Sequence, residues 1–293
     1  MKIQTYSIVA GSKACNASCP YCVSKMTPSQ GIEARLPDIN WRNFDKGCRL
    51  AKDFGVSTVL ITGKGEPALF PEQITEYMKR LVPYDFPLIE LQTNGISIYQ
   101  KRAEFEKHLQ DWYDYGMTTV AVSIAHYENE KNKEIFQPHG DYMDLSALVD
   151  LLHNKRFSVR LSCVMVKGFI EDSGGIEKLV EYAKENKVEQ LTVRHIEKPE
   201  SALDTKGKGV YDWVREHKLD LEQLDEIKKY LDEKGTRLMM LVHGAVVYDL
   251  HGQNICLTNA LTIDPDSEDV RQLIFFPDGH LRYDWQYPGA ILL

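Results

Sequence analysis

Ala14-Cys15-Asn16-Ala17-Ser18-Cys19-Pro20-Tyr21-Cys22 is the stretch around which the rest of the chain is read. Three of the six cysteines fall within it, spaced C-x3-C-x2-C. Thiolates are soft ligands, and a tight cluster of them marks a metal site. Three is an odd number for a closed one. Structural zinc takes four protein ligands, and an ordinary iron–sulfur cluster takes four thiolates. The stretch therefore leaves one metal position for a ligand from elsewhere.

Outward from these residues the chain alternates strand with helix. Ile3 to Val9 reads as a strand feeding directly into the cysteines. Residues 38–54 carry Trp41, Phe44, Cys48 and Ala51 at helical spacing, and Gly55 stops them. Val56 to Ile61 reads as a buried strand ending in Thr62-Gly63-Lys64-Gly65-Glu66-Pro67, and Pro71 to Leu81 as a helix. Pro87 to Gln92 is a strand ending in Thr93-Asn94-Gly95, followed by a helix from Lys101 to Tyr115. Strands follow at 118–124, 158–166 and 189–195, and helices at 144–154, 175–186 and 219–234. A loop after the fourth strand carries His126 and His139. About six βα units of this kind predict a parallel sheet wrapped by helices, short of the eight that complete a barrel.

After Gly235 the rhythm breaks. Arg237 to Tyr248 and Arg271 to Phe276 read as strands, and Pro277-Asp278-Gly279-His280 as a turn into Leu281-Arg282-Tyr283. The expectation is an α/β chain in two parts. Residues 1–235 form a partial (β/α)6 barrel, and residues 236–293 form a small C-terminal α/β or β cap over one end or edge of the sheet. Arg271, His280, Arg282, Tyr283 and Trp285 offer that cap a polar and aromatic lid.

Composition narrows the function. Hydrophobic residues make 43% of the 293 and charged ones 27%, which suits a packed globular chain. A net charge of −8 argues against nucleic acid as the main partner. Met1 to Tyr6 lacks the apolar core of a signal peptide, and no run approaches the roughly 20 apolar residues of a membrane span. The reading is a cytoplasmic protein with no membrane partner, whose cysteines are ligands or core thiols rather than disulfides.

In parallel α/β sheets, ligands bind beyond the carboxyl ends of the strands. The distinctive residues all fall there. The cysteines follow the first strand, Gly63 to Pro67 the second, and Thr93-Asn94-Gly95 the third. Ser123 lies near the end of the fourth and Arg194 near the end of the sixth. Such convergence predicts one site.

These motifs together resemble the radical S-adenosylmethionine (SAM) superfamily. C-x3-C-x2-C with Tyr21 before the third cysteine resembles its cluster loop, and Gly63 to Pro67 its GxGEP-type motif. Thr93-Asn94-Gly95 is similar to the TNG that follows its third strand. Ser158 to Phe169 and Ile176 to His195 resemble the fifth and sixth units of the branch holding the molybdenum-cofactor cyclase and the peptide-modifying enzymes. The resemblance spans about residues 1–235. It implies a 4Fe–4S cluster on Cys15, Cys19 and Cys22, with SAM on the fourth iron. One electron, from a donor such as flavodoxin or ferredoxin, cleaves SAM to a 5′-deoxyadenosyl radical that abstracts hydrogen from substrate. It also implies SAM contacts at Tyr21, Gly63, Gly65, Glu66, Thr93, Asn94, Ser123 and Arg194, and a substrate contact at Arg160. The enzyme would be an oxidoreductase or a lyase.

Cys48, Cys163 and Cys256 are too scattered to hold a second cluster, so a single 4Fe–4S cluster is expected. That departs from both named relatives. The substrate expected is a small, nucleotide-like molecule, with a peptide as the alternative. A reading of a different class is also open: a non-catalytic iron–sulfur or zinc protein acting in binding or sensing, its zinc completed by His126 or His139.

Overall fold

The computed structural model describes residues 2–199, 209–241, 244–259 and 269–293. Ten helices and eleven strands alternate through the described chain. The strands are β1 (Ile3–Val9), β2 (Thr58–Thr62), β3 (Leu88–Thr93), β4 (Thr119–Ile124), β5 (Ser158–Met165), β6 (Gln190–His195), β7 (Thr236–Met240), β8 (Val246–Leu250), β9 (Gln253–Asn259), β10 (Val270–Phe275) and β11 (Leu281–Arg282). The helices are α1 (Val23–Met26), α2 (Trp41–Asp53), α3 (Pro71–Leu81), α4 (Ile96–Gln100), α5 (Arg102–Asp114), α6 (Asn129–Phe136), α7 (Leu145–Asn154), α8 (Ser173–Glu185), α9 (Val210–His217) and α10 (Leu221–Lys234).

Short polar side chains fix several helix starts. Asn40, Asp144 and Asp172 each accept a backbone N–H three residues on, and Asp220 with Gln223 forms a capping box. The apolar stripes of the helices then pack on one side of the sheet. Phe44 of α2 meets Tyr6, Tyr77 and Phe275 at ring separations of 5.2–6.5 Å, joining β1, α3 and β10. Trp112 of α5 is fully buried and donates to Thr75 of α3.

The sheet runs β11-β10-β1-β2-β3-β4-β5-β6-β9-β8-β7. From β10 through β9 every pairing is parallel. The six units from β1 to β6 make the expected partial barrel, open rather than closed, with a strand at each end of the order. Strand alternation separates two faces. Val120, Val122 and Ile124 of β4 are fully buried against the helices, and Gly95 fits beside Val122 and Leu148 there. The alternate set faces the concave side, and on β3 to β6 it is polar: Glu90, Gln92, Ser123, Arg160, Ser162, Thr192 and Arg194.

Residues 236–293 differ from the expected cover over one end or edge. They extend both edges. β10 pairs parallel with β1, whereas β9 pairs parallel with β6 and carries β8 and β7 outside it. The strand expected across 237–248 is two strands, β7 and β8, and β9 lies where the sequence pattern predicts none. The missed signal was His251-Gly252, whose φ values of 55° and 83° make a two-residue hairpin turn. Helices α6 and α9 were also missed, because both are short and lie in polar segments. Arg282 is 5% exposed and paired with Asp278 at 3.1 Å, so it holds the turn rather than serving as a lid.

Because Phe44 touches three elements at once, Phe44→Ala should cost about 3–5 kcal/mol of stability. Urea denaturation followed by circular dichroism checks this.

Candidate functional site

The cysteine loop is held from two sides. On one side it meets the turn after α6. Ser18 N–H reaches the carbonyls of Phe136 and Gln137, His139 N–H reaches that of Asn16, and Cys19 Sγ lies 3.7 Å from the Phe136 carbonyl. On the other side it meets Gly63 to Pro67. Glu66 N–H donates to the Ala14 carbonyl at 2.9 Å. A Cβ on Gly65 would lie 2.6 Å from the Ser12 carbonyl oxygen and nearer still to that of Ala14. Only glycine permits this approach. The expectation that Gly63 and Gly65 clear space for SAM gains a second reason: Gly65 clears space for the cysteine loop itself.

The Glu66 carboxylate ties the ends of β2 and β3 together. Its Oε1 accepts from Ala68 N at 2.9 Å and Thr93 Oγ1 at 2.6 Å, and its Oε2 accepts from Asn94 N at 2.8 Å. Burial raises its carboxyl above the usual range, and the three donors oppose that rise. Its oxygens are thus engaged by protein, which makes it a positioning residue rather than an open acceptor. Asn94 extends the tie. Its Nδ2 donates to Asn16 Oδ1 at 2.7 Å and lies 4.0 Å from Cys15 Sγ.

Cys15, Cys19 and Cys22 are partly exposed, free thiols. Burial pushes Cys15 up to about 11 and Cys19 to about 12, with the neighbouring cysteines adding to the rise at each. Cys15 and Cys19 thus resist ionising until a cation arrives to bind them. Lys64 supplies a charge of the opposite sign. It is 6% exposed, its pKa is drawn down to about 8 chiefly by burial, and Cys22 counters that fall. This residue occupies the variable position of the glycine motif, so sequence reasoning passed over it. A soft three-sulfur set beside a buried cation fits an iron–sulfur cluster, whose thiolates carry negative charge.

Both histidines offered as a fourth zinc ligand have one ring nitrogen engaged by protein. His126 Nδ1 accepts from Glu128 N at 3.0 Å, and His139 Nε2 pairs with Ser18 Oγ at 2.9 Å. Among the described residues no three His, Cys, Asp or Glu side chains converge on a position for a single metal ion. A cluster spreads its ligands over separate irons and needs no such point.

Of the remaining expected residues, Ser123, Arg160 and Arg194 share one face of the sheet. Tyr21 is 8% exposed, with Phe136 edge-on at 6.2 Å and Trp213 of α9 at 6.0 Å. Its ring is packed by protein, which gives it a structural task beside the expected SAM contact. Arg160 is ion-paired with Glu90, to which Gln92 also donates. Ser123 sits across from Ser162 on the concave face. Arg194 faces the cavity without a carboxylate within ion-pair distance among the described residues. Burial and the Arg160 charge draw its guanidinium below the ordinary range, and Tyr21 opposes them. Of the other cysteines, Cys48 and Cys163 are buried, while Cys256 is half-buried near Arg160.

An open parallel barrel with three thiols at its C-terminal rim defines an enzyme built around a thiolate-held cluster. Residues 9–194 match the model of the Radical SAM superfamily, and the chain belongs to that family. Enzymes of this family use a 4Fe–4S cluster and SAM, and cleavage of SAM is general to them. The GTP 3',8-cyclase of Staphylococcus haemolyticus is 28% identical over 187 residues, 62% of this chain and 51% of that protein. The chain thus spans about half the length of that relative. SuiB of Streptococcus suis bound to precursor peptide SuiA aligns with a TM-score of 0.62 at 16% identity, covering 97% of this chain and 60% of that one. SuiB bound to S-adenosylmethionine gives 0.60 at 14% identity over the same shares. These structures share the fold. No helix among the described residues is long and apolar enough to cross a membrane.

Gly65→Ala should displace the cysteine loop and lower bound iron and sulfide at least several-fold after anaerobic reconstitution. Gly140→Ala, with nothing within 4 Å of its Cβ, should leave both unchanged.

Proposed function

We propose that this chain cleaves SAM at a single 4Fe–4S cluster on Cys15, Cys19 and Cys22 and directs hydrogen abstraction at a small, anionic, nucleotide-like substrate in the barrel. The observation that carries the substrate class is charge. Arg160 and Arg194 face one concave surface, and Glu90 answers only the first. A half-buried cation without a counter-ion favours an anion beside it, so this face suits an anionic ligand. Two anions suit it: the SAM carboxylate and a substrate phosphate or carboxylate. Arg194 holds one of them bidentately. Ser123 and Ser162 offer hydroxyls for a ribose on the same surface.

When bound, the cluster supplies the electron that breaks SAM, received from a donor such as flavodoxin or ferredoxin. The protein's own residues do the rest. Glu66, Asn94 and Gly65 fix the cysteine loop. Tyr21, Phe136 and Trp213 wall it off from water on one side. Residues 1–235 form the catalytic unit in this reading, and residues 236–293 complete its edges. The placement of the other cysteines, on separate elements with Cys48 and Cys163 buried, supports a single cluster.

A peptide substrate is the second reading. It is favoured by β7, whose Leu238, Met239 and Met240 are 52–70% exposed on the outermost strand. Such an edge accepts an extended chain by strand addition.

Anaerobic reconstitution with iron and sulfide, then SAM and dithionite, should yield 5′-deoxyadenosine. Cys19→Ala should abolish both the brown colour and the product. Arg194→Met should lower product at sub-saturating SAM at least tenfold while iron content stays normal. A cluster that forms without any SAM cleavage would return the chain to the sensor class. Nucleoside triphosphates should raise the rate of 5′-deoxyadenosine formation if the substrate is nucleotide-like, and only peptides should raise it on the second reading.

A further inference from the structure

Lys64 is the buried charge that the site described above does not yet use. Lysine is almost never fully buried without a partner. Here the side chain is 6% exposed, and its Nζ donates to Thr27 Oγ1 at 2.8 Å. No carboxylate lies within ion-pair distance of it among the described residues. The nearby Lys13 adds repulsion and is itself committed to Glu33 at 3.1 Å. Thr27 ends α1, the helix that Cys22 begins, and the neighbouring Gly65 lies against the Ala14 and Ser12 carbonyls, so Lys64 stands beside the cysteine loop.

The cover over Lys64 comes from the far end of the chain. The Trp285 ring stands 5.4 Å from Nζ, in cation–π position. Trp285 is itself pinned. Its Nε1 donates to Gln272 Oε1 at 3.0 Å, and its ring packs on Phe276 at 5.7 Å. Phe276 belongs to a small apolar cluster with Val9, Ile32 and Ile274, beneath the start of the cysteine loop. The tail therefore shields the ammonium from water, and shielding strengthens its field.

We propose that Lys64, sealed under Trp285, is the fixed counter-charge of the thiolate-held cluster and makes that cluster easier to reduce. This rests on the reading that the three cysteines hold a 4Fe–4S cluster. The physics is elementary. Reduction adds one negative charge to the cluster, and a nearby cation held in a low-dielectric setting stabilises the reduced form more than the oxidised one. Lys64 acts through Cys22 and is a positioning residue, not a catalytic one. If Lys64 merely pins Thr27 at the end of α1, its charge leaves the potential where it is.

The test is a redox titration of the full chain, reconstituted anaerobically and followed by the electron paramagnetic resonance signal of the reduced cluster. In Lys64→Met the ratio of reduced to oxidised cluster at the wild-type midpoint should fall at least tenfold, a shift of about 59 mV or more to lower potential for one electron. Lys64→Arg keeps the charge and should stay within about threefold of wild type. Trp285→Leu admits water and should shift the midpoint in the same direction as Lys64→Met, by less. Iron and sulfide per chain should match wild type in all three. A fully loaded Lys64→Met at the wild-type midpoint overturns the proposal, as does a Lys64→Arg that shifts as far as Lys64→Met. If Lys64→Met takes up no cluster, Trp285→Leu decides, and an unshifted midpoint there overturns it. Failure of the underlying reading shows separately, as wild-type protein that takes up no 4Fe–4S cluster.

Discussion

The site depends on how closely the Gly63 to Pro67 loop approaches the cysteine loop. At Gly65 there is no room for a Cβ between the two backbones. The Glu66 N–H closes the contact on the Ala14 carbonyl at 2.9 Å. The next carboxylate then gathers the ends of β2 and β3 by three hydrogen bonds. Each link uses a group the chain must satisfy anyway, because a buried backbone N–H or carboxylate left unpaired is costly. The glycine motif is thus first a joint between neighbouring strand ends, and the cysteine loop is placed by that joint. Asn94 carries the same joint forward to Asn16 and the edge of Cys15.

This explains what could be read from sequence. The strands β1 to β6 each carry buried apolar residues on the helix-facing side, and their alternation with helices gives a parallel sheet. A rim site then follows from the general placement of ligands beyond strand ends. The three cysteines and the glycine motif stand out because their residue types are rare and chemically specific. The less legible parts share a physical cause. Helices α6 and α9 are eight residues each, too short for a periodic stripe to declare itself. Strands β8 and β9 are joined by a turn whose positive φ at His251 is unusual for a side-chain-bearing residue. Which edge a strand joins is decided by tertiary pairing, so the split of residues 236–293 between two edges carries no local signal.

Roles within the site were harder to read than membership of it. Glu66 stood out as a candidate acceptor, yet its protein partners occupy both oxygens. Tyr21 stood out as an aromatic beside the cluster, yet Phe136 and Trp213 already pack its ring. In both cases motif spacing identifies the residue, and only packing reveals what it touches. Lys64 is the converse. Its position in the motif is variable, so nothing marks it until burial is seen.

The distribution of charge gives the concave surface its character. The chain is acidic overall, at −8, yet the cations turned inward are not balanced locally. Arg160 has Glu90, whereas Lys64 and Arg194 have no carboxylate among the described residues. Lys64 lies at the cysteine rim and Arg194 at the end of β6. A purely structural interior would pair such groups or replace them with apolar ones, since a buried ion pair seldom outperforms good packing. Lys64, buried, and Arg194, half-buried, are left open at separate places. On the proposed reading each answers an anion: the thiolate-held cluster for Lys64, and for Arg194 a molecule against β6, on the surface that carries the hydroxyls of Ser123 and Ser162.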